Sequence, residues 1–376
     1  MKTKLLCKST YLDNAATSRY KPRAVIRAVN KHLKHSANPG RGGHRDSISA
    51  GLTLELAREQ IRRLVGEGEV ILTKSCTEAL NIAIFGIEPK GEVITSVFEH
   101  NSVLRPLYHL SEKKQIRLKF VKPFSNIITA KEVSKLITED TSLIVLGEMS
   151  NVTGALHEVA EIGMLAREKS IVTIIDAAQS LGHTSSDYTN MDIIAASGHK
   201  GLHSPQGTGF LFFRENIKLQ PLIYGGTGTK SKMTKQPLEP PEAFESGTVN
   251  TLGFAGLAAG IEWSLAHQKK INAKIHTLSR LLIENLRKVN GVALYTDNYN
   301  GVVSFNLKNM PSTEVASKLD ADYGIAVRSG LHCAPLAHRH LGTISQGTVR
   351  ASVGYNNTAS DIYKLVNAID IIAKGK

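Results

Sequence analysis

The chain of 376 residues is 41% hydrophobic and 21% charged, an ordinary globular composition for about two domains. No apolar run approaches the roughly 18 residues that a membrane helix needs, and the N-terminal residues lack the apolar region of a secretion signal, so we expect a soluble, cytoplasmic protein without a membrane partner. The formal charge of +13 is compatible with nucleic-acid binding, but the chain matches no nucleic-acid-binding module, and its three cysteines make no disulfide framework.

Short β-rich runs alternate with longer helical patterns in the first part of the chain. The predicted strands are EVILT from 69, GEVITS from 91, IRLKFV from 116, SLIVLG from 142, SIVTIID from 170, MDIIAAS from 191 and TGFLFFR from 208. The predicted helices cover 45–65, 76–86, 99–113, 130–138 and 157–169. This alternation predicts an α/β fold in which helices cover both faces of a mostly parallel sheet, with a site at the carboxyl ends of the strands.

The composition changes between Tyr224 and Asn250, where Gly, Thr, Lys and Pro dominate without a regular period. The stretch is too long for a plain connector, so we expect a loop that is functional or contacts a partner. The elements predicted after it are helices at about 253–268 and 270–289, strands near 301–307 and 346–353, and a helix over 359–373. The predicted division is an N-terminal segment of residues 1–17 packed near the small domain, a large domain of 18–252 and a small α+β domain of 253–376.

Two charged residues stand at the ends of predicted strands. Lys200 lies in SGHKG, just after MDIIAAS, and Asp176 closes SIVTIID. A solvated loop lysine is the commoner explanation of Lys200 taken alone. A carboxylate can hold a pyridine nitrogen protonated, however, and a lysine amine can bond covalently to a carbonyl carbon. Together, Asp176 and Lys200 suit the cofactor pyridoxal 5'-phosphate (PLP).

The start of the helix after EVILT suits the phosphate of that cofactor. Ser75 and Glu78 fit the capping-box pattern, which by itself indicates only a well-capped helix. Free backbone N–H groups at a helix N-terminus bind phosphate, and the hydroxyl of Thr77 would add a donor. Ser197 and His199 are able to supply further donors.

Through several motifs in the same order, the chain resembles the class V aminotransferase family of fold-type I PLP enzymes, and within it the cysteine desulfurase and selenocysteine lyase branch. The resemblance covers essentially the whole chain, through YLDNAAT at 11, NPGRGGH at 38, TEALN at 77, EHNSV at 99, SNVTG at 150, DAAQS at 176, SGHKG at 197, ESGTVNT at 245, RSGLHCAP at 328 and TVRASVGYNNT at 348. It implies a large PLP-binding domain and a smaller α+β C-terminal domain.

The resemblance also implies roles for individual residues. On the cofactor side, Lys200 is the Schiff-base lysine, Asp176 pairs with the pyridinium, Gln179 faces the phenolic oxygen, His100 stacks on the ring, and Thr77, Ser197 and His199 hold the phosphate. Cys76 is expected to pack near the phosphate because it stands at the capped helix start. Thr248 is implied to reach the phosphate of a neighbouring subunit, which predicts a homodimer. On the substrate side, Arg350 forms a bidentate pair with the carboxylate, and Asn151, Arg328 and His44 match substrate-side positions. An arginine exposed on an edge strand is the alternative for Arg350.

Cys333 distinguishes between the branches of the family. It lies in the loop GLHCAP, directly after His332 and near the basic Arg328, a setting that favours exposure and the thiolate form. A desulfurase needs such a cysteine to attack the sulfur of its substrate, whereas a class V transaminase does not. His338 and His340 stand nearby, but no ordered ligand spacing supports a metal site with Cys333.

The sequence thus predicts a PLP-dependent cysteine desulfurase that converts L-cysteine to L-alanine. Its persulfide on Cys333 would pass to a sulfur-acceptor protein in iron–sulfur cluster assembly, RNA thiolation or a related pathway. Leu331 stands where the family pattern usually has the first of two histidines, so the identity of the sulfur-acceptor protein is not determined. The alternatives are a selenocysteine lyase, another class V transaminase or PLP lyase, and a basic nucleic-acid-binding protein without a cofactor.

Overall fold

The computed structural model describes residues 9–35, 37–39, 42–123, 125–184 and 186–375. The predicted N-terminal segment of residues 1–17 is therefore described only from residue 9 onward. Within these ranges, no helix combines the length and the apolar character needed to cross a membrane.

The strands and helices of the described ranges run in the following order. The strands are β1 (Thr10–Tyr11), β2 (Glu69–Thr73), β3 (Gly91–Ser96), β4 (Ile116–Val121), β5 (Thr141–Gly147), β6 (Val172–Asp176), β7 (Ile193–Ser197), β8 (Gly209–Phe213), β9 (Val292–Leu294), β10 (Val302–Leu307), β11 (Ile325–Ala326), β12 (Arg328–Gly330) and β13 (Thr348–Ser352). The helices are α1 (Arg23–Lys34), α2 (Arg45–Val65), α3 (Cys76–Gly86), α4 (Asn101–Glu112), α5 (Ala130–Ser134), α6 (Val159–Glu168), α7 (Thr251–Leu286), α8 (Ser312–Tyr323), α9 (Pro335–His340) and α10 (Ala359–Ala373).

A seven-stranded sheet forms the centre of the described part of the chain, with the strand order β2-β8-β7-β6-β5-β3-β4. The sheet is parallel except at β8, which runs antiparallel to both β7 and β2. Each strand predicted between residues 69 and 213 is present as one of β2 to β8, so the predicted α/β fold with a mostly parallel sheet is confirmed.

Helices bury both faces of this sheet. Along β2, Val70 and Leu72 belong to one hydrophobic cluster and Ile71 belongs to the other, as the period of two along a strand requires. Helices α2, α6 and the first half of α7 pack on the first face, whereas α3 and α4 pack on the second. Because both faces are covered, the strands are continuous apolar runs, which is why they were recognisable in the sequence.

A smaller antiparallel sheet, with the order β12-β13-β10-β9, lies beside α8, α10 and the second half of α7. Strand β1 pairs in parallel with β11, which attaches residues 10–11 to this part of the chain. Strand β13 lies between β12 and β10, so Arg350 is not on an edge strand. The predicted domain division at residues 17 and 252 stays a prediction.

Helix α7 differs from the sequence prediction of two helices, 253–268 and 270–289. It is one continuous helix of 36 residues. Its first half contributes Leu257 and Ile261 to the core of the large sheet, and its second half contributes Leu282 and Leu286 to the core of the small sheet. Near residue 269 the apolar stripe of the helix stops packing on one core and starts packing on the other. In the sequence this change looks like a boundary between two helices, although no Gly or Pro interrupts the helix there.

The remaining differences concern element ends and short elements. Helix α5 ends at Ser134, four residues before the predicted end of 130–138, and α4 and α6 are slightly shorter than predicted. The sequence did not predict α1, α8, α9, β1, β9, β11 and β12. Residues 224–250, all of them described, form neither helix nor strand, as expected.

Candidate active site

A cleft of about 600 Å³, part of it open to solvent, lies at the carboxyl ends of β3, β5, β6 and β7 and at the start of α3. Parallel strands place their carboxyl ends on one edge of the sheet, which is where the sequence predicted the site. The predicted residues that line this cleft are Cys76, Thr77, His100, Asn151, Asp176, Gln179, Ser197, His199 and Lys200.

Asp176 occupies the end of β6. Its Oδ1 accepts hydrogen bonds from the backbone N–H of Ala178 at 2.9 Å and from Sγ of Cys76 at 3.4 Å. Burial, followed by the nearby carboxylate of Asp176, raises the pKa of the Cys76 thiol well above its usual range, so this thiol stays protonated and donates. Both donors bond to Oδ1 of Asp176, and neither of these two hydrogen bonds involves Oδ2.

Lys200 follows β7 and is half-buried in the cleft. Burial lowers the pKa of its ammonium group, while the carboxylate of Asp176 acts in the opposite direction. More of the lysine is therefore the neutral, nucleophilic amine than in a solvated lysine.

The peptide bond before Lys200 is held by the N-terminal segment. The carbonyl oxygen of His199 accepts from Ser18 N at 3.0 Å, Ser18 Oγ at 3.0 Å, Thr17 Oγ1 at 3.3 Å and Lys21 Nζ at 3.4 Å. Gln179 is tied to the same segment, since its Nε2 donates to the carbonyl oxygen of Ala15 at 3.0 Å. Residues 15–21 therefore fix the backbone that carries Lys200.

His100 caps the start of α4. Its Nδ1 accepts from the backbone N–H of Ser102 at 3.1 Å, so the ring hydrogen of the neutral form lies on Nε2. Burial is the main cause that lowers the pKa of His100 to about 4, so the ring is neutral at neutral pH. The hydroxyl of Ser102 lies 2.8 Å from that of Thr77 and thereby connects α4 to α3.

Several polar groups that line the cleft fit a phosphate. Among the described residues, no hydrogen-bond partner reaches the buried Oγ of Ser197 or the buried Nδ1 of His199. The first backbone N–H groups of α3 also lack intrahelical partners, and Thr77 lies in this turn. Ser75 caps Glu78 N at 3.2 Å as predicted, although the carboxylate of Glu78 accepts from Lys74 N rather than from the N–H of Ser75.

These groups together fit PLP. Asp176 supplies the carboxylate that a pyridine nitrogen would need, Lys200 supplies an amine, and the partnerless donors of Ser197 and His199 line the same cleft as Thr77. The imidazole of His100 lines the same cleft and offers a flat face to a ring.

Arg350 lies on β13 with only 1% of its side chain exposed, so the alternative of an exposed edge arginine is wrong. Its Nη1 donates to the carbonyl oxygen of Asn151 at 2.9 Å and its Nη2 to Oδ1 of Asp13 at 3.2 Å. Within the described ranges, Nε of Arg350 and Oδ1 of Asn151 are buried without a partner. Burial lowers the pKa of Arg350 to about 10, which leaves it charged at neutral pH.

Cys333 is exposed on a loop, in a left-handed conformation with a φ of 59°. Nη2 of Arg328 lies 3.6 Å from its sulfur. Its carbonyl oxygen accepts from Asn101 N at 2.7 Å, which places the loop beside His100 at the start of α4. The thiol is thus accessible and next to a cation.

His332 does not play the part that the sequence suggested for it. Its Nε2 lies 3.1 Å from both the carbonyl oxygen and the hydroxyl of Thr348, and burial lowers its pKa to about 2. The ring is therefore neutral and adds no positive charge beside Cys333, whereas Arg328 does. His338 is buried and bonded to Thr343, and no group of His, Cys, Asp and Glu within the described ranges is arranged to hold a metal ion.

Five of the predicted residues are not among those that line the cleft: Arg328, Cys333, Arg350, Thr248 and His44. Thr248 is exposed in the loop 224–250, and His44 is exposed at the start of α2, where its Nδ1 accepts from Ser47 N at 3.4 Å. Neither residue lines the cleft of its own chain. Their assignments to cofactor and substrate stay predictions.

Two acidic residues at the site were not predicted from the sequence. Asp13 bonds to Arg350, and the sequence feature that pointed to Asp13 was its position in the YLDNAAT motif. Glu99 precedes His100 in EHNSV; it accepts from Ser96 Oγ at 2.5 Å and from Gly147 N at 2.8 Å, so it connects the ends of β3 and β5. Burial raises the pKa of Glu99 to about 8, so a protonated carboxyl group is present at neutral pH.

Comparison with known proteins shows the family of the chain. The chain is 34% identical to a probable cysteine desulfurase from Methanothermobacter thermautotrophicus, over 98% of this chain and 96% of that protein, and 32% identical to the cysteine desulfurase CsdA of Escherichia coli, over 96% and 93%. The apo structure of a cysteine desulfurase from Thermococcus onnurineus NA1 matches with a TM-score of 0.90 and 33% identity, covering 98% of this chain and 95% of that one. The family model described as Aminotransferase class-V matches residues 10–365, and the chain therefore belongs to the class-V aminotransferase family.

Proposed function

We propose that the protein is a PLP-dependent cysteine desulfurase that takes sulfur from L-cysteine onto Cys333 and leaves L-alanine. The observation that carries the proposal is the exposed thiol of Cys333, with Arg328 3.6 Å away, on a loop bonded to the start of α4 beside the cleft. The names of the relatives point to the same reaction.

PLP, when bound, supplies an electron sink for the Cα carbon of an amino acid. Lys200 would bond to it, and Asp176 would keep its ring nitrogen protonated, with Oδ1 already occupied by Cys76 and Ala178. His100 would cover the ring and Gln179 would face the phenolic oxygen. Ser197, His199 and Thr77 would hold the phosphate, with Cys76 packed nearby.

On the substrate side, Arg350 binds the α-carboxylate, with Asn151 beside it. Because its carbonyl oxygen holds Nη1 of Arg350, Asn151 orients the guanidinium. Lys200 Nζ removes the Cα proton, which its lowered pKa favours. Sγ of Cys333 then attacks the substrate sulfur: a sulfur–sulfur bond forms and the bond between Cβ and sulfur breaks. Its electron pair stays on Cβ, which takes up a proton, and Lys200 returns the proton to Cα to give alanine. Arg328 stabilises the attacking thiolate.

The proposed enzyme works as a homodimer. Ile48, Leu52 and Leu56 are exposed on α2 at a spacing of four residues and therefore form one apolar stripe. Other residues of α2, such as Gly51 and Glu55, share a depression with Thr248 in the loop 224–250. A second copy that covered this surface would bring Thr248 to the neighbouring cleft, where the resemblance assigns it.

The product persulfide would pass to a sulfur-acceptor protein, with iron–sulfur cluster assembly as the pathway that we favour and the cytoplasm as the location that we expect. The exposed position of Cys333 supports transfer to another protein, since an acceptor must reach the sulfur.

Product analysis tests the proposed function. Wild-type protein loaded with PLP and given L-cysteine with a reducing thiol should release L-alanine and sulfide in equal amounts, and Lys200→Ala should release neither. Lys74→Ala is the matched control, because Lys74 is exposed near the start of α3 and should keep full activity. Formation of a keto acid instead of alanine would indicate transamination and refute the proposal.

A further inference from the structure

Asp13 is held over Arg350 by a rigid stretch of backbone. Its carboxylate Oδ1 lies 3.2 Å from Nη2 of Arg350, and 22% of its side chain is exposed against 1% for the arginine. The backbone of Asp13 forms a bridge with Ser352, and its carbonyl oxygen accepts from the hydroxyl of Tyr11 at 3.0 Å and from Ala16 N at 3.2 Å. The carboxylate therefore has a fixed anchor at the solvent side of the guanidinium.

The charges around Arg350 explain why an anion is needed there. Arg328 stands directly opposite Arg350 in the register of β12 and β13, so two guanidinium groups share one short stretch of sheet. A buried cation without an anion is strongly unfavourable, and a second cation nearby increases that cost. Among the described residues, Asp13 is the carboxylate that forms an ion pair with Arg350.

A substrate carboxylate that binds Arg350 would approach the same guanidinium group that already pairs with the carboxylate of Asp13. Nη1 is engaged by the carbonyl oxygen of Asn151, Nη2 by Asp13, and Nε is buried without a partner in the described structure. A bidentate carboxylate would need two of the donors on this fork, and it would come close to the negative charge of Asp13. Two carboxylates at one guanidinium repel each other.

We propose that Asp13 is the resident counter-ion of Arg350 and that its charge limits the affinity of the site for a substrate α-carboxylate by competing with it. The inference rests on the proposed function, which assigns the substrate carboxylate to Arg350. Asp13 is then a positioning residue: it keeps the buried guanidinium in place when the site is empty, and it makes carboxylate binding weak enough for the alanine product to leave.

Two substitutions separate the charge of Asp13 from its hydrogen bond. Asp13→Asn keeps an oxygen that accepts from Nη2 and removes only the charge, whereas Asp13→Ala removes both. Asp140→Asn is the matched control, since it removes the charge of an exposed aspartate that pairs with Arg117 on the surface. Calorimetric titration of each PLP-loaded protein with L-alanine and with L-alaninamide, which lacks the carboxylate charge, isolates the effect on carboxylate binding.

Asp13→Asn should lower the Kd for L-alanine about fivefold, the size expected for removing one partly exposed like charge, and should leave the Kd for L-alaninamide unchanged. Asp13→Ala should bind L-alanine more weakly than Asp13→Asn, because nothing then orients the guanidinium. An unchanged or higher Kd for L-alanine in Asp13→Asn, equal changes for both ligands, or no binding of L-alanine to any of the proteins would overturn the proposal. Release of alanine and sulfide from L-cysteine, measured on the same wild-type preparation, tests the proposed function separately.

Discussion

Two cysteines of the described structure occupy opposite environments. Cys76 is buried at the start of α3, where burial and then the carboxylate of Asp176 raise its thiol pKa. Cys333 is exposed, and the guanidinium of Arg328 lies 3.6 Å from its sulfur. Because a reactive thiol needs both access and a nearby cation, Cys333 is suited to accept sulfur and Cys76 is suited to donate a hydrogen bond to Asp176.

Cys333→Ala should abolish activity on L-cysteine and spare much of the activity on L-selenocysteine. A thiol with a pKa of ~8.5 is mostly protonated at neutral pH, so sulfur is a poor leaving group and needs the thiolate of Cys333 to accept it. A selenol is more acidic and its bond to carbon weaker, so elimination does not require that nucleophile. Kinetics on both substrates, with PLP content measured by absorbance in each preparation, checks this; equal losses on the two would mean that Cys333 has another role.

The residues of the cleft were predictable where they stand at strand ends. Asp176 and Lys200 follow apolar strands, and the parallel sheet brings such ends together. The partnership of Asp13 with Arg350 was not predictable, because the two residues are 337 positions apart and meet only through the pairing of short strands. The neutral state of His332 was also hidden, since it follows from burial against Thr348 rather than from its neighbours in the sequence.

At the scale of elements, a strand or helix was predictable from the sequence where its own burial gave it a clear apolar pattern. Strands such as β7 are buried along their whole length and are mostly apolar because both faces are covered, and they were found with nearly correct ends. Strand β12, with the sequence RSG, has no β pattern of its own and is strand only because it pairs with β13. Helix α7 was divided in the prediction because its apolar stripe serves two cores in turn.

Helix α2 carries the exposed apolar stripe on which the proposed dimer depends. Leu52→Glu places a charge in the middle of this stripe, where Leu52 is 65% exposed, and should convert the dimer to a monomer because the charge would be buried in the interface. Sedimentation should give twice the chain mass of 40.8 kDa for the wild type and the single mass for the variant.

Activity should fall together with the dimer, since Thr248 is expected to serve the cleft of the neighbouring subunit. The control is Ile371→Glu on α10, a residue 39% exposed on another helix, which should leave the dimer intact. A wild-type monomer with full activity would refute both the dimer and the shared site.

At the scale of the whole molecule, buried histidines outweigh buried acids in setting the response to pH. Burial is the main cause that lowers the pKa of seven histidines in the described structure: His100, His157, His183, His199, His203, His332 and His338. Glu99 has the opposite effect, because burial raises its pKa from 4.5 to about 8 and the folded state therefore favours its protonated form. The stability that this protonated form contributes is present below pH 4.5 and is lost as the pH rises towards 8. The free energy of unfolding should therefore fall as the solution is acidified below pH 6.5.

His157 allows this prediction to be tested away from the cleft. It is buried against Phe98, its Nδ1 accepts from Ile128 N at 3.1 Å, and burial lowers its pKa from 6.5 to about 4. Its neutral form therefore contributes stability that is present above pH 6.5 and is lost as the pH falls towards 4.

His157→Asn keeps an acceptor for Ile128 N but cannot take up a proton, so the loss of unfolding free energy between pH 7 and pH 5 should be about 2 kcal/mol smaller than in the wild type. Urea denaturation at the two pH values measures this difference, with the exposed His276→Asn as the control that should lose as much stability as the wild type. The same loss in His157→Asn and in the wild type would mean that His157 does not have to be neutral for the protein to fold, and the acid sensitivity would then belong to other groups.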